Sequence, residues 1–198
     1  ASNAVLGGGE YLVAEADESD GSFLKLSPTV AVITTVDEEH LDYYSGIDEI
    51  KDAFTRFGNS VPFYGCSIVC LDEENIQSII GDIGRRVITY GLAGQADVQA
   101  HGIETTAERT RFSVSAGGTE LGRIETAMPG LHNVYNSLAT VAVGLELGVP
   151  FDAAAAALRD FEGISRRFEI KGEVQDVLVL DDYGHHPVEI RTTLSAAA

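Results

Sequence analysis

Short, continuous apolar runs alternate with helical patterns through the first half of the chain. Four such runs read as strands and lie at residues 11–14, 30–33, 67–71 and 87–90. Between them, apolar residues from Ile47 to Phe57 recur at the spacing of an amphipathic helix, and residues 75–80 form a second helical pattern. Uninterrupted apolar strands are typical of a parallel sheet covered on both faces. The pattern predicts an α/β fold built on a mainly parallel sheet flanked by helices.

The pattern changes after Gly91. Residues 96–127 alternate apolar and polar positions around Gly117-Gly118, which predicts a hairpin turn within a small antiparallel β meander attached to the main sheet. Helical patterns return at residues 138–145 and 153–158. The remaining predicted elements are strands at 168–170 and 177–180 and a helix from residue 188 onward.

Composition narrows the class of protein. The chain has 198 residues, 44% of them hydrophobic, so it can bury the core of one domain with a small appendage. A formal net charge of -18 opposes binding to nucleic acid and to anionic membranes, and we expect neither as a partner. Cys66 and Cys70 lie in or beside an apolar run, which predicts buried free thiols in a cytoplasmic protein. The opening Ser-Asn-Ala resembles the scar of a cleaved tag, so residues 1–4 are expected to lie outside the fold.

Two acidic segments follow predicted strands. Residues 15–20 hold four carboxylates, and residues 37–42 hold four more around His40. Ligands of open α/β sheets bind at the carboxyl ends of strands, so both segments are placed to form one site. Clustered carboxylates are typical of a Mg²⁺ site, and an imidazole beside them can ligate a metal or donate to a phosphate. A solvated acidic surface is the alternative.

Polar residues also mark the start of the helix near residue 131. Asn133 and Asn136 are three positions apart and share one helical face, where their amides could recognise an adenine edge. Asn133 could instead cap the helix.

Two further polar segments flank the last predicted strands. Arg166 and Arg167 could clamp a phosphate or form ordinary salt bridges. A carboxylate at 181–182 could accept hydrogen bonds from ribose hydroxyls. His185-His186 is not expected to form a metal pair, because adjacent side chains point apart in most backbones.

Taken together and in this order, these segments resemble the Mur ligase family, and within it the alanine-adding branch. The most specific stretches are EADESDGSF at 15–23, VPFYG at 61–65, PGLHNVYN at 129–136, GISRRFE at 163–169 and DDYGHHP at 181–187. The resemblance implies Mg²⁺ ligands at Glu15 and His40, which with Arg167 would be the catalytic residues. It also implies that ATP is bound by Asn133, Asn136, Arg167 and Asp182. Thr35 stands where the resemblance leads us to expect asparagine.

The implied activity is ATP-dependent amide formation in peptidoglycan precursor synthesis. L-alanine would be joined to UDP-N-acetylmuramate through an acyl phosphate, with ATP and Mg²⁺ as cofactors. The implied organisation is a central ATP-binding domain at residues 5–182, incomplete at its N-terminus, and a hinge with the start of a C-terminal domain at 183–198. The sequence contains no Gly-Lys-Thr or Gly-Lys-Ser, so the phosphate-binding loop with its strand and helix is expected outside this chain. The fragment alone is therefore expected to be inactive and to self-associate.

Two other function classes fit the residues without the resemblance. The segment could be a non-catalytic scaffold or interaction module whose acids are only surface. It could also be a metal-dependent hydrolase that uses Glu15, Asp17, His40 and Asp182.

Overall fold

A six-stranded sheet forms the centre of the molecule in the computed structural model, which describes residues 4–106, 109–175, 177–185 and 187–197. The strands lie in chain order across the sheet. They are β1 (Val30–Ile33), β2 (Cys66–Cys70), β3 (Val87–Gly91), β4 (Val98–Thr105), β5 (Thr110–Ala116) and β6 (Thr119–Thr126). Strands β1 to β4 are parallel to one another, and β4 to β6 are antiparallel. The predicted fold class is therefore confirmed, including the attached meander.

The described residues form five helices. They are α1 (Ile47–Asn59), α2 (Glu74–Ile79), α3 (Leu131–Glu146), α4 (Phe151–Asp160) and α5 (Pro187–Ala197), with short 3-10 turns at Ser22–Lys25 and Ile80–Asp82. Of these helices, α1, α3 and α4 contact strands of the six-stranded sheet. All five were predicted at about these positions. Helix α1 is amphipathic and buries Ile50, Ala53 and Phe57, which lie three to four residues apart as a core-facing helix requires.

Strand β2 is covered on both faces. Every residue of β2 is buried. The Ser67 hydroxyl donates to the Gly58 carbonyl of α1 at 2.9 Å, whereas the adjacent Cys66 lies beside Glu146 of α3. Neighbouring side chains of a strand point to opposite faces, so α1 and α3 pack on opposite sides. This burial explains why Ile68, Val69 and Cys70 are apolar at successive positions. Both cysteines are free and buried, as predicted.

The last two strands form a separate hairpin. Strands β7 (Glu169–Val174) and β8 (Val177–Asp181) pair antiparallel with each other and not with the main sheet. Asp182 therefore does follow a strand, but not a strand of the sheet that carries the acidic segments. Much of the apolar surface of the hairpin is exposed, including Ile170, Val174 and Val177.

The predicted strand at residues 11–14 is wrong. These residues are not in a strand, and Tyr11, Leu12 and Val13 are 65%, 92% and 93% exposed. A strand is stable only when its backbone groups pair with a neighbour, and this run has no paired strand within the described residues. Its apolar composition alone does not fold it. Among the described residues, no helix is long and apolar enough to cross a bilayer.

Candidate functional site

A cleft with acidic walls lies beyond the carboxyl end of β1. Its polar lining is formed by Glu18, Asp37, Glu39 and His40, and Thr35 lies on the same wall. His40 Nε2 is 3.6 Å from Glu18 Oε1. Potential ligand atoms of Glu18, Glu39 and His40 all lie within 4.8 Å of one another. We call these three residues the carboxylate–histidine cluster, and the structure confirms that the two acidic segments meet.

Long-range contacts hold the two acidic loops together. The hydroxyl of Tyr44, which is 3% exposed, donates to the Glu18 carbonyl at 2.7 Å. The backbone N–H groups of Tyr43 and Tyr44 both donate to the His40 carbonyl at 2.9 Å. His40 itself has a φ of 55°, in the left-handed region. Gly21 also has a positive φ, and a Cβ there would lie 2.5 Å from the Tyr43 hydroxyl. These contacts place the Glu18 and His40 side chains face to face.

The cluster differs from the pair that the family resemblance selects. Glu15 is exposed and is not one of the three clustered residues, so its metal role stays a prediction. Asp17 and Asp20 form local turns, in which their carboxylates accept the backbone N–H groups of Ser19 and Ser22, each at 2.9 Å. The hydrogen bonds from Ser19 lower the pKa of Asp17. The two carboxylates supply the oxygen ligands that Mg²⁺ prefers, whereas the imidazole nitrogen is a donor more typical of transition metals.

The two asparagines at the start of α3 differ in exposure. Asn133 is buried, and its Nδ2 donates to the Pro129 carbonyl at 2.7 Å. The N-cap of α3 is Gly130, so the alternative that Asn133 caps the helix is wrong. Asn136 is exposed one turn further along. Of the predicted pair, Asn136 is the one whose amide is accessible to a ligand.

Asp182 ties the arginine segment to the end of β8. Its Oδ2 accepts the backbone N–H of Phe168 at 2.8 Å, and its Oδ1 accepts that of Gly184 at 2.7 Å. Burial acts to raise the pKa of Asp182, but these two hydrogen bonds, together with one from the Thr193 side chain and the nearby Arg167 charge, lower it overall. Phe168 and Arg166 both have φ in the left-handed region, at 50° and 62°. The Asp182 carboxylate thus stabilises the bent backbone around Arg167.

Exposed charged groups surround this bend. Arg167 Nη1 lies 3.4 Å from Glu189 Oε1 on α5, and the Arg166 guanidinium lies 4.9 Å from the centre of the Tyr183 ring. The backbone N–H of His185 also donates to Glu189, at 3.0 Å. His186, the other half of the His-His pair, lies outside the described residues.

His132 joins α3 to the arginine segment. Burial lowers the pKa of His132, while the nearby Asp182 acts to raise it and Arg167 to lower it. Its Nδ1 is buried and has no hydrogen-bond partner among the described residues. Segments 129–136, 165–169 and 181–189 therefore converge, as their shared role in the resemblance requires. His132 was not singled out from the sequence, although it lies inside the PGLHNVYN stretch.

Comparison with known proteins decides the family. Residues 2–144 match the family model described as the Mur ligase middle domain. This chain belongs to the Mur ligase family. It is 58% identical over 195 residues to UDP-N-acetylmuramate–L-alanine ligase from Desulfatibacillum aliphaticivorans, and 57% identical over 195 residues to the ligase of that name from Geotalea uraniireducens. In both cases the match covers 98% of this chain and 43% of the relative.

Solved structures agree with this family membership. The UDP-N-acetylmuramate–alanine ligase MurC from Thermotoga maritima is 26% identical, with a TM-score of 0.76 over 91% of this chain and 40% of that one. MurF from Acinetobacter baumannii, at 24% identity, shares the fold with a TM-score of 0.77 over 87% of this chain and 38% of that one. This Mur ligase chain thus spans less than half the length of the relatives it matches.

Proposed function

We propose that this chain is the central, ATP-binding part of a ligase that joins L-alanine to UDP-N-acetylmuramate in peptidoglycan precursor synthesis. The observation that carries the proposal is the 58% identity, over 98% of the chain, to a relative of that name. Because the chain covers 43% of that relative, the activity is proposed for the full-length protein.

In the proposed reaction, a carboxylate oxygen of UDP-N-acetylmuramate attacks the γ-phosphorus of ATP, and the bond from that phosphorus to ADP breaks. The amine of L-alanine then attacks the carbonyl carbon of the acyl phosphate. The tetrahedral intermediate expels inorganic phosphate, and the nitrogen loses a proton to give the amide. The first step brings two anions together, so positioning and charge neutralisation are the main catalytic requirements.

The carboxylate–histidine cluster is the proposed metal site. Glu18, Glu39 and His40 would hold Mg²⁺, which supplies positive charge between the phosphates and the substrate carboxylate. The resemblance gives Glu15 the same role, and Glu15 lies three residues before Glu18 in the same exposed loop. Both glutamates are therefore candidates, and separate mutation of each distinguishes them.

The second convergence of segments is the proposed ATP site. Asn136, exposed on α3, is placed to contact adenine, while Asn133 holds the Pro129 carbonyl and shapes the loop before it. Arg167 would stabilise the transferring phosphoryl group once it leaves its exposed contact with Glu189. Asp182 is proposed near the ribose. Because both of its oxygens already accept backbone N–H groups, a ribose hydroxyl would use a remaining lone pair.

The test is a substrate-dependence assay on the full-length protein. We expect phosphate release from ATP to require Mg²⁺, UDP-N-acetylmuramate and L-alanine together, and mass spectrometry to find the amide product. Glycine and L-serine at equal concentration are the matched controls for the amino acid. Phosphate release without any amino acid would support a hydrolase instead, and no release under any combination would support a non-catalytic module.

A further inference from the structure

The turn that follows β2, at residues 72–75, contacts both halves of the proposed site. It lies at the carboxyl edge of the main sheet, between the loop after β1 and the residues after β3. Sequence reasoning assigned it no role beyond the start of a helix. We call residues 72–75 the β2 bracket.

One side of the bracket holds the acidic loop. The Asn75 Nδ2 donates to the Val36 carbonyl at 2.7 Å, a bond that joins residues 39 positions apart. Val36 is 1% exposed and immediately precedes Asp37, where the acidic loop leaves the core. Glu73 caps α2 by accepting the Ile76 N–H at 3.0 Å. Burial raises the pKa of Glu73, although hydrogen bonds from the backbone of Ile76 and Val36 oppose the rise. Val36 is thus the fixed point from which the loop to His40 extends.

The other side of the bracket holds the strand end beneath α3. The Asp72 carboxylate accepts the backbone N–H of Ala93 at 3.0 Å through Oδ1 and that of Leu92 through Oδ2. The carboxylate lies so close to β3 that a Cβ on Gly91 would be 2.8 Å from Oδ2, so a larger residue there would displace the Asp72 side chain. Hydrogen bonds from two backbone N–H groups to an ionised carboxylate are stronger than neutral ones, and they fix the position of the Asp72 side chain.

Helix α3 meets the bracket through Tyr135. Burial and the facing Asp72 carboxylate raise the pKa of the Tyr135 hydroxyl. Tyr135 is partly buried against the core and lies directly before Asn136 in α3. The bracket thus touches the element that carries the proposed adenine contact on one side and the loop that carries His40 on the other.

We propose that the β2 bracket is a positioning device that sets the distance between the carboxylate–histidine cluster and the start of α3, with Asn75 acting on the cluster and the Asp72–Tyr135 contact acting on the helix. This inference rests on the proposed function, since it assumes that metal and adenine bind at these two places. None of the three residues needs to touch substrate.

Two single substitutions test the two sides of the β2 bracket separately. Asn75→Ala removes the amide that holds Val36, and alanine is well tolerated at the second residue of a helix. Tyr135→Phe removes only a hydroxyl. Matched controls come from the same region. Gln77→Ala removes an amide that donates to the Leu71 carbonyl at 2.6 Å, within the bracket's own neighbourhood. Tyr90→Phe removes a buried hydroxyl that has no hydrogen-bond partner among the described residues.

Hydrogen exchange on the 198-residue chain tests the geometry without any activity. In Asn75→Ala we expect exchange at residues 36–44 to rise by about fivefold, as loss of one hydrogen bond allows, with 130–137 unchanged. In Tyr135→Phe we expect exchange at residues 130–137 to rise by about fivefold, with 36–44 unchanged. Both controls should leave both regions at the rate of the unsubstituted chain. Equal loosening of the two regions in either variant would overturn the proposal, as would no change in both.

Kinetics of the full-length protein test whether the bracket affects the use of Mg²⁺ and ATP. Asn75→Ala should raise the Mg²⁺ concentration for half-maximal rate by about fivefold and leave the KM for ATP unchanged. Tyr135→Phe should raise the KM for ATP by about fivefold and leave the Mg²⁺ requirement unchanged. Equal kcat losses in both variants, with no split, would overturn the positioning role even if hydrogen exchange is selective. Failure of the proposed function looks different, because the unsubstituted enzyme would then lack ligase activity while the exchange pattern persists.

Discussion

His40 and Glu18 face each other across two loops, with the imidazole Nε2 3.6 Å from a carboxylate oxygen. Their side chains meet because the Tyr44 hydroxyl, four residues after His40, donates to the Glu18 carbonyl. The same hydrogen bond places Glu18, rather than another acid of its segment, opposite the imidazole. If the pair binds a metal, substitution of Glu18 should therefore affect the Mg²⁺ requirement more than substitution of Glu15.

We expect His40→Ala in the full-length enzyme to lower turnover by about 100-fold at limiting Mg²⁺, because a ligand or a group that orients one is lost. Glu18→Gln should raise the Mg²⁺ requirement more than Glu15→Gln if the geometry identifies the ligand. Asp20→Asn, which removes a charge from the same segment outside the cluster, is the control. Mg²⁺ titrations of the rate measure all four. A larger effect at Glu15 would favour the residue that the family resemblance selects.

The asparagines of α3 should separate stability from nucleotide binding. Asn133→Ala removes a buried amide from the Pro129 carbonyl and should lower the free energy of unfolding by about 1–3 kcal/mol. Asn136 is exposed, so Asn136→Ala should change stability by less than about 0.5 kcal/mol. It should nevertheless raise the KM for ATP more than it lowers kcat, as loss of uniform binding does. Urea unfolding and ATP titrations give the two quantities. An unchanged KM in Asn136→Ala would remove this residue from the ATP site.

Most of the fold follows from the pattern of apolar residues. The run from Cys66 to Cys70 is apolar apart from Ser67 and becomes β2, buried on both faces. The run at residues 11–14 looks the same on the page, yet Leu12 is 92% exposed. An apolar pattern indicates which residues can be buried. It does not state whether a neighbouring strand is present to pair with them.

The sequence predicted which segments form the site, but it did not predict which side chains in them meet. The prediction that residues 15–20 and 37–42 meet is confirmed by the Glu18–His40 contact, but only the second segment follows a strand of the sheet within the described residues. Which of four carboxylates faces His40 depends on the Tyr44–Glu18 hydrogen bond, which joins residues 26 positions apart. The role of Asp72 is equally long-range, since its partners are Leu92 and Ala93 at the end of another strand. No local spacing in the sequence encodes such contacts.

His132 should make stability depend on pH near neutrality. Burial lowers the pKa of His132 in the folded chain, with Arg167 adding to the effect and Asp182 opposing it. As the pH falls through about 6.5, the unfolded chain takes up a proton that folded His132 resists, so stability is lost toward acid. His132→Gln should flatten this dependence between pH 7.5 and about 5.5 in urea unfolding experiments. Identical slopes in His132→Gln and the unsubstituted chain would contradict the prediction.

The 198-residue chain itself should self-associate. The β7–β8 hairpin exposes apolar side chains, with Val174 65% and Val177 62% exposed at directly paired positions. Exposed apolar strands are prone to pair with other copies. The net charge of -18 opposes association, so added salt should promote it by screening that repulsion. Light scattering across concentration and ionic strength measures this. Val177→Lys should reduce association, whereas Gln175→Lys, in the turn of the same hairpin, should act only through its charge.

The same chain should bind ATP weakly and should not hydrolyse it. Its sequence has no Gly-Lys-Thr or Gly-Lys-Ser, and the acidic cleft repels a polyanion unless a metal intervenes. Adenine contacts at Asn136 would remain, but contacts to one base rarely sustain tight binding. Calorimetric titration with ATP and Mg²⁺ should therefore give a dissociation constant above about 1 mM, the scale of a few net contacts. Micromolar binding by a monomeric chain would mean that the phosphates are held within these 198 residues, and Arg166 and Arg167 would be the first residues to test.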